Sequence, residues 1–154
     1  GAGPQVHGPA RVSRSIVLDA EPLSILARPR SRAHDEVRAA LEAARRLNRD
    51  VIVPAVILAE LYRGPGQNQM VDACLSRETG VLVRDTDRTL ARLVGGVLSS
   101  ADAGSADLAD AHAVAAAVET GGGVVLTTDP TDIRRLAAGY PNVQVETLDP
   151  GSAH

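Results

Sequence analysis

The chain has 154 residues, of which 44% are hydrophobic and 1% aromatic, so one domain with an aliphatic core is expected and an aromatic base-stacking platform is nearly excluded. All 16 basic residues are arginine and the formal net charge is −3, which excludes lysine chemistry such as Schiff bases and the phosphate lysine of P-loops. Cys74 is the single cysteine, so neither an internal disulfide nor a cysteine-based zinc site can form.

Short β-branched runs alternate with longer helical segments from residue 15 onward. Residues 1–14 are rich in Gly and Pro without periodicity, and we expect a flexible tail or a vector-derived remnant before a single domain over 15–150. The predicted strands cover residues 15–19, 51–54, 80–84, 124–127 and 143–148. The predicted helices cover residues 21–27, 33–49, 55–64, 68–78, 86–100, 105–121 and 130–139. This alternation predicts an α/β fold with a mostly parallel sheet covered on both faces.

The apolar runs are too short to span a bilayer, and no signal-peptide pattern opens the sequence. We therefore expect a cytoplasmic protein with no membrane partner.

Acidic residues follow the predicted strands at the end where parallel sheets bind ligands. Asp19 closes the first strand, Asp129 follows the fourth strand almost directly, and Asp132 lies three residues later. Asp107 and Asp110 are three residues apart on the helix before the fourth strand, so both face the same way. If the first and fourth strands are neighbours, these carboxylates converge.

Glu60 adds a further carboxylate on the helix after the second strand, within the otherwise apolar segment AVILAEL. Carboxylates gathered in one cleft repel one another, so a protein that collects them usually supplies a cation. Oxygen ligands select hard ions, here Mg²⁺ or Mn²⁺. Metal-assisted hydrolysis of a phosphodiester is the reaction class that this pattern favours.

Blocks of sequence in a fixed order carry a resemblance to one known family: VLDA at 17–20, PAVILAELYRG at 54–64, SADLADAHAVAAA at 105–117 and VVLTTDPTDIRRL at 124–136. Together they resemble the PIN-domain nucleases, in particular the VapC toxins of toxin–antitoxin pairs, over nearly the whole chain. The resemblance implies a PIN-like three-layer fold whose five-stranded parallel sheet has the order 3-2-1-4-5. It also implies a Mg²⁺-dependent site that cleaves RNA, a homodimer, and a cognate antitoxin whose tail covers the site.

Carried over by motif, the resemblance matches Asp19, Glu60 and Asp110 to the first three acids of the family. Each has a simpler interpretation: Asp19 as a helix N-cap, and Glu60 or Asp110 as an exposed helical acid. The apolar surroundings of Glu60 and Asp110 favour a functional role.

Two residues of this sequence are candidates for the fourth acid of the family. The motif threonine of the family corresponds to Thr127. Some family members place the fourth acid two residues after this threonine, at the position of Asp129, and others place it five residues after, at the position of Asp132. Asp129 before Pro130 would also make a good N-cap, and Asp132 would complement the helix dipole. Thr127 is either a core hydroxyl or a supporting member of the site. Asp107 is an extra acid found in part of the family, and the resemblance implies a supporting role for it at the metal.

Several arginines are candidates for contacts with RNA phosphates. Arg28, Arg30 and Arg32 crowd the connection after the first helix, where a solvated loop is the alternative. Arg63 lies one turn beyond Glu60 and is expected to pair with that glutamate or with RNA.

Two other functions compete with a metal-dependent endoribonuclease. A phosphotransfer domain of the receiver or aspartate-phosphatase kind needs an acid pair at the first strand and a lysine, and this sequence has no lysine. A non-catalytic PIN-like scaffold that binds RNA or protein is the stronger alternative, and the presence of the full set of acids argues against it.

Overall fold

The computed structural model describes residues 14–149. Of the predicted tail only residue 14 lies within this range, and residue 150 of the predicted domain lies outside it. The strands are β1 Ser15–Leu18, β2 Val51–Pro54, β3 Val81–Arg84, β4 Gly123–Thr127 and β5 Val143–Thr147. The helices are α1 Ala20–Ala27, α2 Arg32–Arg46, α3 Ala55–Leu61, α4 Pro65–Arg77, α5 Arg88–Ser100, α6 Leu108–Glu119 and α7 Pro130–Ala137, with a short 3-10 turn at Ser105–Asp107.

The strands form one all-parallel sheet in the order β3-β2-β1-β4-β5. This arrangement confirms the predicted fold class and the predicted strand order. The chain moves from β1 outward to β2 and β3, and then returns to place β4 on the other side of β1. The order therefore reverses between β1 and β4, and such a reversal opens a crevice at the carboxyl ends of the two strands.

The central strands are buried along their whole length. Every residue of β1, β2 and β4 is buried, and because side chains alternate between the two sides of a strand, both faces of the sheet are covered. The edge strands β3 and β5 are only partly buried. The runs SIVL, VIVP and GVVLT are apolar and largely β-branched, which suits strands buried on both faces.

Helix α6 is the helix that crosses the centre of the sheet, where it contacts β1, β2 and β4. Its residues from Ala111 to Ala117 are all buried, and its alanines allow the helix to approach the strands closely. Gly121 and Gly122 end this helix with φ values of 84° and 123°, a backbone region that favours glycine. The chain can therefore turn back directly into β4.

No helix between residues 14 and 149 is both long enough and apolar enough to cross a membrane.

Candidate metal centre

Asp19 lies at the point where the strand order reverses, directly after β1. It occupies the N-cap position of α1, but its side chain makes no capping hydrogen bond. Instead, its Oδ2 accepts a hydrogen bond of 2.8 Å from the hydroxyl of Thr127, the last residue of β4. Thr127 is fully buried, so this bond fixes the carboxylate across the crevice between the two strands.

Asp107, Asp110 and Asp132 form a second group of carboxylates, which we call the acidic trio. Asp107 ends the 3-10 turn, Asp110 lies in the first turn of α6, and Asp132 lies in the first turn of α7. One carboxylate oxygen of each residue lies within 4.8 Å of those of the other two. Two regions distant in sequence thus bring three negative groups together.

The electrostatics of Asp110 connect the trio with Asp19 and Glu60. Burial, followed by the charges of Asp19, Asp132, Glu60 and Asp107 in that order of importance, raises the pKa of Asp110 to about 6. The pKa of Glu60 is raised by burial and by the charge of Asp19, against an opposing effect of Arg63. Five carboxylates therefore share one region of negative potential.

Asp129 occupies a different position from Asp132. It is the N-cap residue of α7 and precedes Pro130, as the sequence predicts, but its side chain makes no capping hydrogen bond. Its backbone N–H donates to the Thr127 hydroxyl at 3.0 Å, and the residue is exposed. Asp132, by contrast, is among the charges that raise the pKa of Asp110.

Arg135 is the residue at this site that sequence reasoning missed. Its Nη2 lies 3.0 Å from Asp107 Oδ2 and 3.5 Å from Asp132 Oδ1. These two carboxylates, Asp107 first, raise the pKa of the guanidinium. The spacing of Arg135 three residues after Asp132 on a predicted helix could have indicated the second ion pair. The first pair joins two elements, so no local signal could have revealed it.

Two of the arginines expected to contact RNA pair with acids of the same chain. Arg28 Nη2 lies 2.8 Å from Glu21 Oε2, and Arg30 Nε lies 2.9 Å from Asp35 Oδ1. Both pairs are exposed, so they are weak and salt-sensitive. Neither arginine contacts the acidic trio in the part of the chain that the structure describes.

Arg63 donates to two backbone carbonyl oxygens, that of Ala59 at 2.7 Å and that of Tyr62 at 3.0 Å. Its charge lowers the pKa of Glu60, but the two side chains form no ion pair in the structure of residues 14–149. A contact of Arg63 with RNA stays a prediction. Arg32 begins α2 and is exposed.

His112 is buried in α6, where it serves packing. Its Nδ1 lies 2.8 Å from the carbonyl oxygen of Leu108 and its Nε2 lies 2.9 Å from the hydroxyl of Thr86. Both ring nitrogens are thus engaged by groups of the fold itself.

A cavity of about 370 Å³ lies at the opposite end of the sheet, against the first residues of β2 and β3. Of its arginines, Arg38 pairs with Glu78, and Arg45 pairs with Glu42 at 2.6 Å. Arg45 and Arg77 lie in the last turns of α2 and α4, where a positive charge complements the helix dipole. The charges of this cavity are therefore largely accounted for by the fold itself.

The residues of the crevice suit a hard divalent cation. The trio offers carboxylate oxygens, which Mg²⁺ and Mn²⁺ prefer, and Asp19 and Glu60 add two more acids on the side of β1 and β2. One monovalent guanidinium contacts two of the three carboxylates of the trio, so it leaves their negative charge incompletely balanced. A divalent cation would neutralise more of this negative charge than the guanidinium does.

Comparison with curated proteins gives no significant match. Among solved structures, a chain of VapBC2 from Rickettsia felis bound to a promoter DNA fragment is 21% identical, with a TM-score of 0.61 and coverage of 87% of this chain and 98% of that chain. A chain of DNA-bound VapBC from Salmonella typhimurium is 16% identical, with a TM-score of 0.59 and coverage of 88% and 98%. A chain of FitAcB from Neisseria gonorrhoeae is 20% identical, with a TM-score of 0.53 and coverage of 84% and 95%.

At these identities the solved structures show a shared fold. The family itself follows from the sequence, because the PIN domain family model matches residues 16–139, most of the chain. The chain therefore belongs to the PIN domain family.

Proposed function

We propose that this protein is a Mg²⁺- or Mn²⁺-dependent endoribonuclease of the VapC type, the toxin of a toxin–antitoxin pair. The observation that carries the proposal is the convergence of carboxylates from separate elements at the reversal point of a parallel sheet. The chain belongs to the PIN domain family, a family of nucleases, and this supports a role of the converging carboxylates in metal-dependent cleavage of RNA. A set of acids this close together is costly to fold unless a cation balances it.

We assign the metal to one set of acids and leave one candidate outside it. The proposed ligands are Asp19, Glu60, Asp110 and Asp132, with Asp107 supporting them. Asp132 takes the fourth position because its carboxylate lies in the acidic trio, whereas Asp129 is the N-cap residue of α7 and lies outside that trio. Both residues are exposed, so the assignment rests on the proximity of the carboxylates.

The chain's own residues prepare the site for hydrolysis of a phosphodiester. When bound, a divalent cation supplies Lewis-acid activation of water and neutralises charge on the scissile phosphate. Thr127 holds Asp19 in one orientation through its hydroxyl, which is itself fixed at the end of a buried strand. Preorganisation of this kind lowers the cost of arranging the ligands when the ion and substrate bind.

The substrate and partners follow from the same proposal. RNA is the proposed substrate, and Arg28, Arg30, Arg32 and Arg63 remain candidates for phosphate contacts, because their ion pairs and carbonyl contacts are exposed and easily exchanged. A cognate antitoxin is supported by the shared fold with chains of VapBC complexes. We further propose a homodimer, a single domain over residues 15–150 and a cytoplasmic location.

The first experiment measures the thermal midpoint with and without Mn²⁺ for the wild type, D19N, D132N and D129N. A ligand that binds only the native state raises stability by RT ln(1 + [L]/Kd), so a metal site must move the midpoint. We expect a Mn²⁺-dependent rise in the wild type, its loss in D19N and D132N, and its retention in D129N. Loss in D129N with retention in D132N would reverse the assignment of the fourth ligand.

The second experiment measures cleavage of a structured RNA by the same variants. D19N is expected to lose about 100-fold or more in rate, because it removes a proposed metal ligand, while D129N stays within a few-fold of the wild type. Equal cleavage by D19N and the wild type would overturn the mechanism. If the wild type shows neither a Mn²⁺-dependent shift nor cleavage, the non-catalytic scaffold becomes the better interpretation.

A further inference from the structure

Arg135 introduces a positive charge directly into the acidic trio. Its guanidinium contacts Asp107 at 3.0 Å and Asp132 at 3.5 Å, so it touches two of the three carboxylates. Asp107 is only 17% exposed on its side chain, so the acidic partner of this pair is shielded from solvent although the guanidinium is not.

The helix that carries Arg135 is fixed, while the guanidinium is free to leave. Ile133, Leu136 and Ala137 are buried and anchor α7 against the core. The Arg135 side chain is 46% exposed, so its end can swing into solvent without disturbing that packing. The neighbouring Arg134 contacts Thr147 Oγ1 at 3.3 Å and lies outside the acidic trio.

We propose that Arg135 is an internal counter-ion of the metal centre: its guanidinium pairs with Asp107 and Asp132 when no metal is bound, and it competes with the divalent ion for both. This inference rests on the proposed function, because it treats the acidic trio as part of a metal centre. Binding of the ion is then an exchange of cations, in which the monovalent guanidinium leaves as the divalent ion enters. The residue therefore sets the ion concentration at which the site fills.

The direction of the effect follows from charge. Removing Arg135 removes a competitor for two carboxylates and a positive charge that repels the incoming ion. The variant R135Q is therefore expected to bind Mn²⁺ about three- to tenfold more tightly than the wild type at low ionic strength. The difference should shrink in high salt, because exposed charges are screened.

The test measures Mn²⁺ dissociation constants by electron paramagnetic resonance for the full chain carrying R135Q, R135K or R134Q. R134Q is the matched control, because it removes the same charge from the adjacent position. R135K keeps the charge and is expected to stay close to the wild type. A second measurement, the thermal midpoint in EDTA, is expected to fall in R135Q by a few degrees relative to R134Q and to recover when Mn²⁺ is added.

The outcomes separate this inference from the proposed function. Equal or weaker Mn²⁺ binding by R135Q, with a wild type that binds Mn²⁺ and a D110N variant that does not, overturns the role of Arg135 and leaves the metal centre standing. Equal tightening in R134Q also overturns it, since the effect would then be general electrostatics. Absence of Mn²⁺ binding in the wild type and in R135Q overturns both proposals.

Discussion

Replacement of Asp110 by asparagine is expected to stabilise the metal-free protein at pH 8. Burial and four neighbouring carboxylates raise the pKa of Asp110 to about 6, so keeping it ionised at pH 8 costs folding free energy. The difference from the ordinary value of 3.8 corresponds to roughly 3 kcal/mol at about 1.36 kcal/mol per pH unit. Because Asp110 is only half-buried, solvent screening reduces the expected gain in D110N to about 1–2 kcal/mol.

The sign of the pH dependence follows from linkage. A carboxyl group whose pKa is raised on folding binds its proton more tightly in the native state, so the wild type gains stability as pH falls. The advantage of D110N should therefore be full above pH 6, shrink as the pH falls from 6 toward 4, and vanish below the unfolded value of 3.8.

The assay is urea denaturation followed by circular dichroism, in EDTA, at pH 8, 6 and 4. D85N is the control, because Asp85 is an exposed loop residue that does not belong to the acidic trio, and its replacement should change little. In Mn²⁺ the order should reverse, since the wild type gains binding energy that D110N lacks. A D110N protein less stable than the wild type at pH 8 in EDTA, or an advantage unchanged at pH 4, would refute the electrostatic reasoning.

The remaining predictions concern single contacts elsewhere in the fold. Glu119 accepts two hydrogen bonds of 2.8 Å from Arg84, which lower the pKa of the glutamate. E119Q should therefore lower the free energy of unfolding at pH 7 by about 1 kcal/mol, measured by urea denaturation. Because the pKa is lowered on folding, that cost should fade below pH 4.5, and a cost unchanged at pH 3 would contradict it. T127V removes the hydroxyl that donates to Asp19, so it should lower the free energy of unfolding by about 1–2 kcal/mol and weaken Mn²⁺ binding. Unchanged Mn²⁺ affinity would count against a positioning role for Thr127. G95A, at an exposed interior position of α5 with open space around it, should raise the free energy of unfolding by about 0.5–1 kcal/mol, and a decrease would show a hidden constraint.

Local sequence signals determined the elements and the fold class of this protein. Apolar runs of four or five residues, separated by helical segments, predicted the five strands to within about two residues, because periodicity and burial are local properties of a strand or helix. The same signals placed Asp19 at the end of β1. The order of the strands came from the resemblance to a family, because alternation of strands and helices does not specify which strands are neighbours.

Tertiary structure decided which residues meet at the candidate site. Thr127 and Asp19 are separated by 108 positions and are joined only because β1 and β4 are adjacent. The choice between Asp129 and Asp132 depends on how α7 is rotated about its axis, which is fixed by the packing of its buried face and not by residue spacing. Arg135 enters the site for the same reason: the helix rotation that buries one face of α7 directs its guanidinium toward Asp107 on another element.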